Sequence, residues 1–291
     1  MRIAALLLAR DEEWIIRLSS WCAAQWCDEL HLSLNNCTDR TEEYAVKPWR
    51  DLSKPVYLQR ENTESWEWLE MPMRQRMLDS ARRSGATHIA MVDADETPTA
   101  NVLPLLRGWT EQLIPGQVLD VPMIPMRSLS EYQDDGSTWT KSWLSTAFMD
   151  EPSLFWKAAS DGYQYHARTP KNSHFRRKTI YPQTKDRAAE GGIIHWQFAN
   201  KRRLLAKHIL YRCSEYLRWP GREPVSRLNE LYDAALKCEK TTPAPAGWFS
   251  GYDLSMIDLD GPPWHEAELA RILNPARRAR MEADKLDLKG Y

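Results

Sequence analysis

The stretch His88-Ile89-Ala90-Met91-Val92-Asp93-Ala94-Asp95-Glu96 runs a short apolar segment straight into three acids within four positions. His88 to Val92 predicts a buried strand, which then delivers Asp93 and Asp95 to its carboxyl end. The same alternation extends upstream. Met71 to Ser84 has helical spacing and is closed by Gly85, while Pro55 to Gln59 and Glu29 to Asn35 fit strands. Asp11 to Gln25 fits an amphipathic helix whose early acids suit a helix start, and Ile3 to Ala9 is another apolar strand. Strands alternating with helices over about the first 120 residues predict βαβ units, hence an α/β fold with a mixed, mostly parallel sheet flanked by helices. Ligands of such sheets bind outside the carboxyl ends of the strands, where the two aspartates fall.

Downstream the pattern changes. Val118 to Met126, Thr138 to Met149 and Gly191 to Phe198 are β-like pieces separated by polar and Pro-containing loops. Lys201 to Leu217 and Pro224 to Lys240 then read as helices, with Pro224 suited to an early helical position. A Pro- and Gly-rich loop, Thr242 to Pro263, precedes a charged helical stretch from Trp264 to Leu288 that Pro275 must interrupt. Residues 1–120, 121–200 and 201–291 are therefore expected to form, in turn, an α/β half, a mixed β half of the same domain and a C-terminal helical extension.

Composition removes several functions. The chain has 291 residues, 39 Lys+Arg against 40 Asp+Glu, a formal net charge of -1 and 43% hydrophobic residues. That excludes wholesale disorder and a protein that coats nucleic acid by bulk charge. With no run of about 18 apolar residues, no membrane span is expected. Met1 to Ala9 is too short for a signal peptide and leads into Asp11, Glu12 and Glu13. Five cysteines without a CxxC pair point to reduced thiols, hence to a cytoplasmic protein. Of 14 tryptophans, Trp66, Trp68, Trp139, Trp143, Trp156, Trp196 and Trp248 lie in or beside loop-like segments. Indole faces in loops suit stacking on sugar rings or bases, although filling a core is the commoner use.

Two carboxylates one residue apart at a strand end offer hard oxygen ligands for Mg²⁺ or Mn²⁺, which keeps places for phosphate oxygens. Such an ion would act as a Lewis acid on a departing diphosphate. Gly191-Gly192-Ile193-Ile194-His195 ends in an imidazole, a nitrogen ligand that suits Mn²⁺ better than Mg²⁺.

These residues carry a resemblance. Ala5 to Arg10 followed by Asp11-Glu12-Glu13, then Asn35-Asn36-Cys37-Thr38-Asp39-Arg40-Thr41, then Arg74 in a helix leading to Asp93-Ala94-Asp95-Glu96, resembles the family 2 glycosyltransferases of the GT-A fold in motif order and interval. The resemblance covers residues 1–100, weakens over 101–190, and returns at His195-Trp196. It implies a GT-A (Rossmann-like) fold and transfer of a sugar from a nucleotide-diphosphate donor to a hydroxyl acceptor, with Mn²⁺ or Mg²⁺. It further implies that Ala9, Arg10, Asp11 and Glu12, with Asn35 and Asp39, flank the nucleoside, and that Arg74 and Asp93 face the donor. Asp93, Asp95 and His195 would hold the metal. The chain departs from the family at Arg10, where Asn is common, and at Leu34 or Asn35, where Asp is usual.

A dense positive cluster, Lys201, Arg202, Arg203, Lys207 and His208, follows His195, and Lys201 or Arg202 is nearest in sequence to pair with donor phosphates. For the catalytic base of an inverting transfer the candidates are Asp150, Glu151 and His166. The expected acceptor is an unidentified hydroxyl, with a glycan or a modified base in DNA as the candidates; in the latter case Arg168 to Lys178 and Lys201 to Lys207 would track phosphates. Two alternatives compete. Asp93-Ala94-Asp95-Glu96-Thr97 also resembles the first motif of aspartate-nucleophile phosphohydrolases, although there it ends the first strand. The other is a non-catalytic protein that reads glycans or nucleic acid through its tryptophans and basic helix.

Overall fold

A computed structural model describes residues 1–62, 70–156, 168–173, 175–178 and 190–291. The alternation continues through β1 (Ile3–Ala9), α1 (Ile16–Trp26), β2 (Glu29–Asn35), α2 (Thr41–Asp51), β3 (Val56–Glu61), α3 (Glu70–Ser84), β4 (His88–Asp93), β5 (Glu96–Pro98) and α4 (Leu103–Glu111). Then come β6 (Gln117–Pro125), β7 (Glu131–Gln133), β8 (Trp143–Met149), β9 (Phe175–Lys178) and β10 (Ile193–His195). The rest is α5 (Lys201–Arg218), α6 (Val225–Leu236), β11 (Thr241–Pro243), α7 (Trp264–Ile272) and α8 (Pro275–Ala283).

Nine strands form one curled, mostly parallel sheet in the order β3-β2-β1-β4-β8-β6-β10-β5, with β9 also paired to β6. The pairs β2–β3, β1–β2, β1–β4, β6–β9 and β6–β10 are parallel, while β4–β8, β6–β8 and β5–β10 are antiparallel. β1 explains the layering. Its seven residues are all apolar and all buried, as expected of a strand covered on both faces. Ile3, Ala5, Leu7 and Ala9 enter a core with α1, α2 and α4, whereas Ala4, Leu6 and Leu8 meet Met73, Met77 and Leu78 of α3. This is the Rossmann-like α/β arrangement expected from the sequence. α5 to α8 bury a further core of their own, built on Ile209, Leu210, Cys213, Leu269 and Met281.

Boundaries moved for local reasons. α1 starts at Ile16 rather than Asp11 because Asp11 sits at φ 46° and Glu12 opens a turn that receives the N–H groups of Ile15 and Ile16. α6 stops at Leu236, where Lys237 turns extended. Pro275 splits the last stretch as anticipated, and starts α8 behind an Asn274 cap whose side chain accepts from the Arg277 N–H. The Gly191-Gly192 pair has a packing reason. A Cβ on Gly192 would stand 2.3 Å from the Pro122 carbonyl oxygen, so only glycine lets β10 close on β6 and set His195 in place. Trp156, Trp196 and Trp248 are buried in cores, the commoner of the two uses expected for them; Trp66 and Trp68 lie outside the described residues. No helix among the described residues is long and apolar enough to cross a membrane.

Candidate active site

Strand order reverses between β1 and β4: from β1 the chain runs outward to β2 and β3, then returns to lay β4 on the other side. The crevice at such a switch point is where open α/β sheets bind ligands. Here it opens into a cleft of about 850 Å³, within the usual range of small-molecule sites. Ala9 and Glu12 line it from the end of β1, Asp93 to Glu96 from the end of β4, and His195 from the end of β10. β10 is registered antiparallel to β5, with His195 opposite Glu96, and the Trp196 N–H donates to the Asp95 carbonyl at 2.9 Å. The acids and the imidazole, about a hundred residues apart in the chain, are thus held by backbone.

The charges form two groups. In the first, Glu70, Arg74, Asp93, Arg168 and Glu96 alternate in sign, with contacts of 2.6 Å (Glu70–Arg74), 2.8 Å (Arg74–Asp93), 2.8 Å (Asp93–Arg168) and 2.6 Å (Arg168–Glu96). Arg168 also donates to the Met91 carbonyl at 2.7 Å and to the Ser145 carbonyl. Burial works against the Asp93 anion, but Arg168 and Arg74 outweigh it and hold its pKa below the usual carboxylate range. Burial dominates at Glu96, whose pKa is raised.

In the second group, Asp95 Oδ2 accepts from Lys207 Nζ at 3.0 Å and Asp95 Oδ1 faces His195 Nε2 at 3.5 Å. Burial again opposes ionisation of Asp95, yet Lys207 and His195 keep its pKa well below the ordinary value. Burial also works against the Lys207 ammonium, and Asp95 with Tyr211 and Glu12 more than offsets it, so Lys207 stays charged. Glu12 is pushed up to about 7, first by burial and then by Asp95. Its carboxylate accepts from the Trp14 indole at 2.5 Å.

Among the described residues no group of three or more His, Cys, Asp or Glu side chains is arranged around one metal position. Two ligands remain that fit one. The 3.5 Å between Asp95 Oδ1 and His195 Nε2 is long for a hydrogen bond and near the roughly 3 Å that separates adjacent ligands on an octahedral ion with bonds of about 2.1 Å. Each Asp93 oxygen accepts from a guanidinium, Arg74 on one and Arg168 on the other, so of the two expected carboxylate ligands it is Asp95 that faces the imidazole.

Other expected residues sort cleanly. Of the residues expected to contact the donor, Ala9, Glu12, Arg74 and Asp93 line the cleft, whereas Arg10, Asp11, Asn35 and Asp39 do not. Arg10 is buried against the C-terminal helices, 3.1 Å from Glu268 and with its guanidinium over the Trp264 ring at 4.5 Å. Asp11 accepts from the Thr38 N–H at 2.6 Å and Asp39 from the Glu13 and Thr41 N–H groups, so these two tie the loops after β1 and β2 together. Asn35 is fully buried at the end of β2. Lys201 is exposed on α5, and Arg202 is exposed and paired with Glu266 at 2.6 Å. Neither lines the cleft; Lys207, two turns on, does.

Asp150 and Glu151 are corrected. They follow β8, an antiparallel strand, so they emerge at the amino end of β4, where Met149 pairs with His88. Asp150 is held there by Arg82 in a two-bond contact at 2.8 Å. Asp150→Asn is therefore expected to leave turnover within about twofold of wild type while costing about 1 kcal/mol of stability, read from a denaturant melt. His166 lies outside the described residues. Arg168 and Lys207 line the cleft, although sequence reasoning passed them over as site members.

No protein-family model matches the chain, and no curated protein matches it. Solved structures are similar in part. Glucosyl-3-phosphoglycerate synthase from Mycobacterium tuberculosis, in complex with Mn²⁺, uridine diphosphate and phosphoglyceric acid, is 20% identical at a TM-score of 0.29. That likeness covers 43% of this chain and 43% of the synthase, so this chain spans less than half of its length. Mannose-1-phosphate geranyltransferase from Thermus thermophilus is 11% identical over 51% of this chain and 58% of its own, with a TM-score of 0.32. HddC from Yersinia pseudotuberculosis is 11% identical over 67% of this chain and 94% of its own, with a TM-score of 0.36.

Proposed function

We propose that this chain is a nucleotide-sugar transferase of GT-A type, which moves a sugar from a nucleotide-diphosphate donor to a hydroxyl acceptor. The observation that carries the reading is the position of Asp95 and His195. Both reach one cleft at the switch point of an α/β sheet, spaced for a shared divalent cation and backed by the buried ammonium of Lys207. Asp95 and His195 would hold Mn²⁺ or Mg²⁺, and the bound ion would supply Lewis-acid stabilisation of the leaving diphosphate.

The chain's own residues do the rest. Lys207 presents ammonium donors beside Asp95, where diphosphate oxygens would enter. Arg74 and Arg168 hold Asp93 ionised and fixed between them, which leaves its oxygens as acceptors for donor hydroxyls. Glu70 and Glu96 in turn fix the two guanidiniums, so the wall of the site is organised before any ligand arrives. The phosphohydrolase alternative loses ground here: a nucleophilic Asp93 would need an oxygen that is not already accepting from arginine.

The test is a melting-temperature screen of the full chain with UDP, GDP, CMP and TDP, each with Mn²⁺, Mg²⁺ or chelator. A nucleoside diphosphate present at about 100 times its Kd stabilises the fold by about 2.7 kcal/mol. The expected result is a shift with one diphosphate that needs the metal. No shift with any diphosphate, or one that survives the chelator unchanged, would sink the proposal.

A further inference from the structure

The cleft continues well beyond the charges at the sheet. Along α5 the cleft is lined by His208 and by Lys207, Tyr211 and Glu215, the last three at intervals of four, and Trp219 follows at the next. At about 1.5 Å per residue this stripe leads some 18 Å from the Asp95 end to an aromatic end. Leu228, Leu231 and Tyr232 of α6 face it, and Leu231 is 51% exposed. Polar groups border the aromatic surface. The Tyr232 hydroxyl donates to Glu215 at 2.5 Å, and the Arg222 guanidinium lies over the Trp219 ring at 4.7 Å.

Resting on the transferase reading, we infer that this outer half of the cleft is the acceptor subsite and that it takes an uncharged oligosaccharide. Pyranose rings present apolar faces and hydroxyl rims. An elongated groove with indole and phenol faces, edged by carboxylates and guanidiniums, complements both. A wholly apolar acceptor would desolvate Glu215, Glu223 and Arg222 without return. A nucleic acid would need an excess of cations to replace its counterions. Here Arg222 and Arg227 are balanced by Glu215 and Glu223. Of the residues that were candidates for phosphate tracking, Arg168 is committed to Asp93 and Glu96, Arg202 to Glu266 and Lys207 to Asp95. The acceptor's reacting hydroxyl then lies at the Lys207 end and its remaining rings toward Trp219.

The experiment titrates maltotriose, xylotriose, chitotriose and a single-stranded oligonucleotide into the full chain, with ligand-observed NMR as the readout. Wild type, Trp219→Ala and Leu231→Asp are compared, the second variant being at an exposed position. At least one trisaccharide is expected to bind, with an affinity that changes less than about twofold over a fourfold rise in salt. Each variant is expected to weaken that binding at least about tenfold, or 1.4 kcal/mol, yet to keep the nucleotide-dependent melting shift. Binding of no trisaccharide, binding unaffected by both variants, or salt-sensitive binding of the oligonucleotide alone overturns the inference. Trisaccharide binding in a chain that shows no nucleotide shift upholds the subsite and fails the transferase reading instead.

Discussion

Asp95→Asn is expected to abolish the metal-dependent nucleotide shift and to lower turnover by roughly three orders of magnitude, about 4 kcal/mol of transition-state stabilisation. The size follows from what the carboxylate does. Of the described acids in the cleft, Asp95 alone faces both His195 and Lys207, and the Lys207 ammonium holds it ionised against burial. An amide keeps the shape but offers one weaker oxygen to a cation, and leaves the Lys207 ammonium buried beside a neutral group. The variant therefore has to be shown to melt cooperatively before its activity is read. His195→Gln, which touches only the second ligand, should cost less and should chiefly raise the Mn²⁺ concentration needed for the shift. Turnover in Asp95→Asn within tenfold of wild type would remove the residue from the proposed metal site.

How far the site was legible depends on the range of each contact. β1 and β4 were readable because a seven-residue apolar run and a strand ending in acids are local patterns, and the parallel pairing of the two follows from the helix between successive strands. α2 was not read, because Pro48 lies inside it and its apolar residues are few. Arg168 meets Asp93 across 75 positions and Lys207 meets Asp95 across 112. No spacing rule spans such gaps, so Lys201 and Arg202 were favoured for nearness in sequence alone. Helical geometry held the missing signal: Lys207, Tyr211, Glu215 and Trp219 repeat at intervals of four, one face of a helix. Asp150 misled for the converse reason. Its distance from the cleft is set by β8 running antiparallel to β4, a topological fact that a single sequence does not carry.

Arg74→Leu should be the most damaging substitution for the fold, costing about 3–5 kcal/mol. The Arg74 side chain is only 3% exposed and is shared between Glu70 at 2.6 Å and Asp93 at 2.8 Å. Leucine replaces the volume but takes from the buried Glu70 carboxylate the guanidinium 2.6 Å away, and removing one member of a buried pair costs far more than the pair is worth. Asp93 suffers less, because Arg168 still holds its other oxygen. The loss should appear as a lower denaturant midpoint at unchanged slope. Adding Glu70→Gln to Arg74→Leu should recover part of it, since the buried carboxylate that faced the lost guanidinium is then neutral. The pH dependence has a definite sign. Asp93 has a folded pKa below its unfolded value near 3.9, so the stability it contributes is full above about pH 4 and is lost as the pH falls through the folded value. Arg74→Leu removes part of that contribution. The gap between wild type and variant should be widest at neutral pH and close progressively below about pH 4. A gap that stayed constant down to pH 3 would mean that packing, rather than the Glu70–Arg74–Asp93 charges, supplies the stability at this corner of the site.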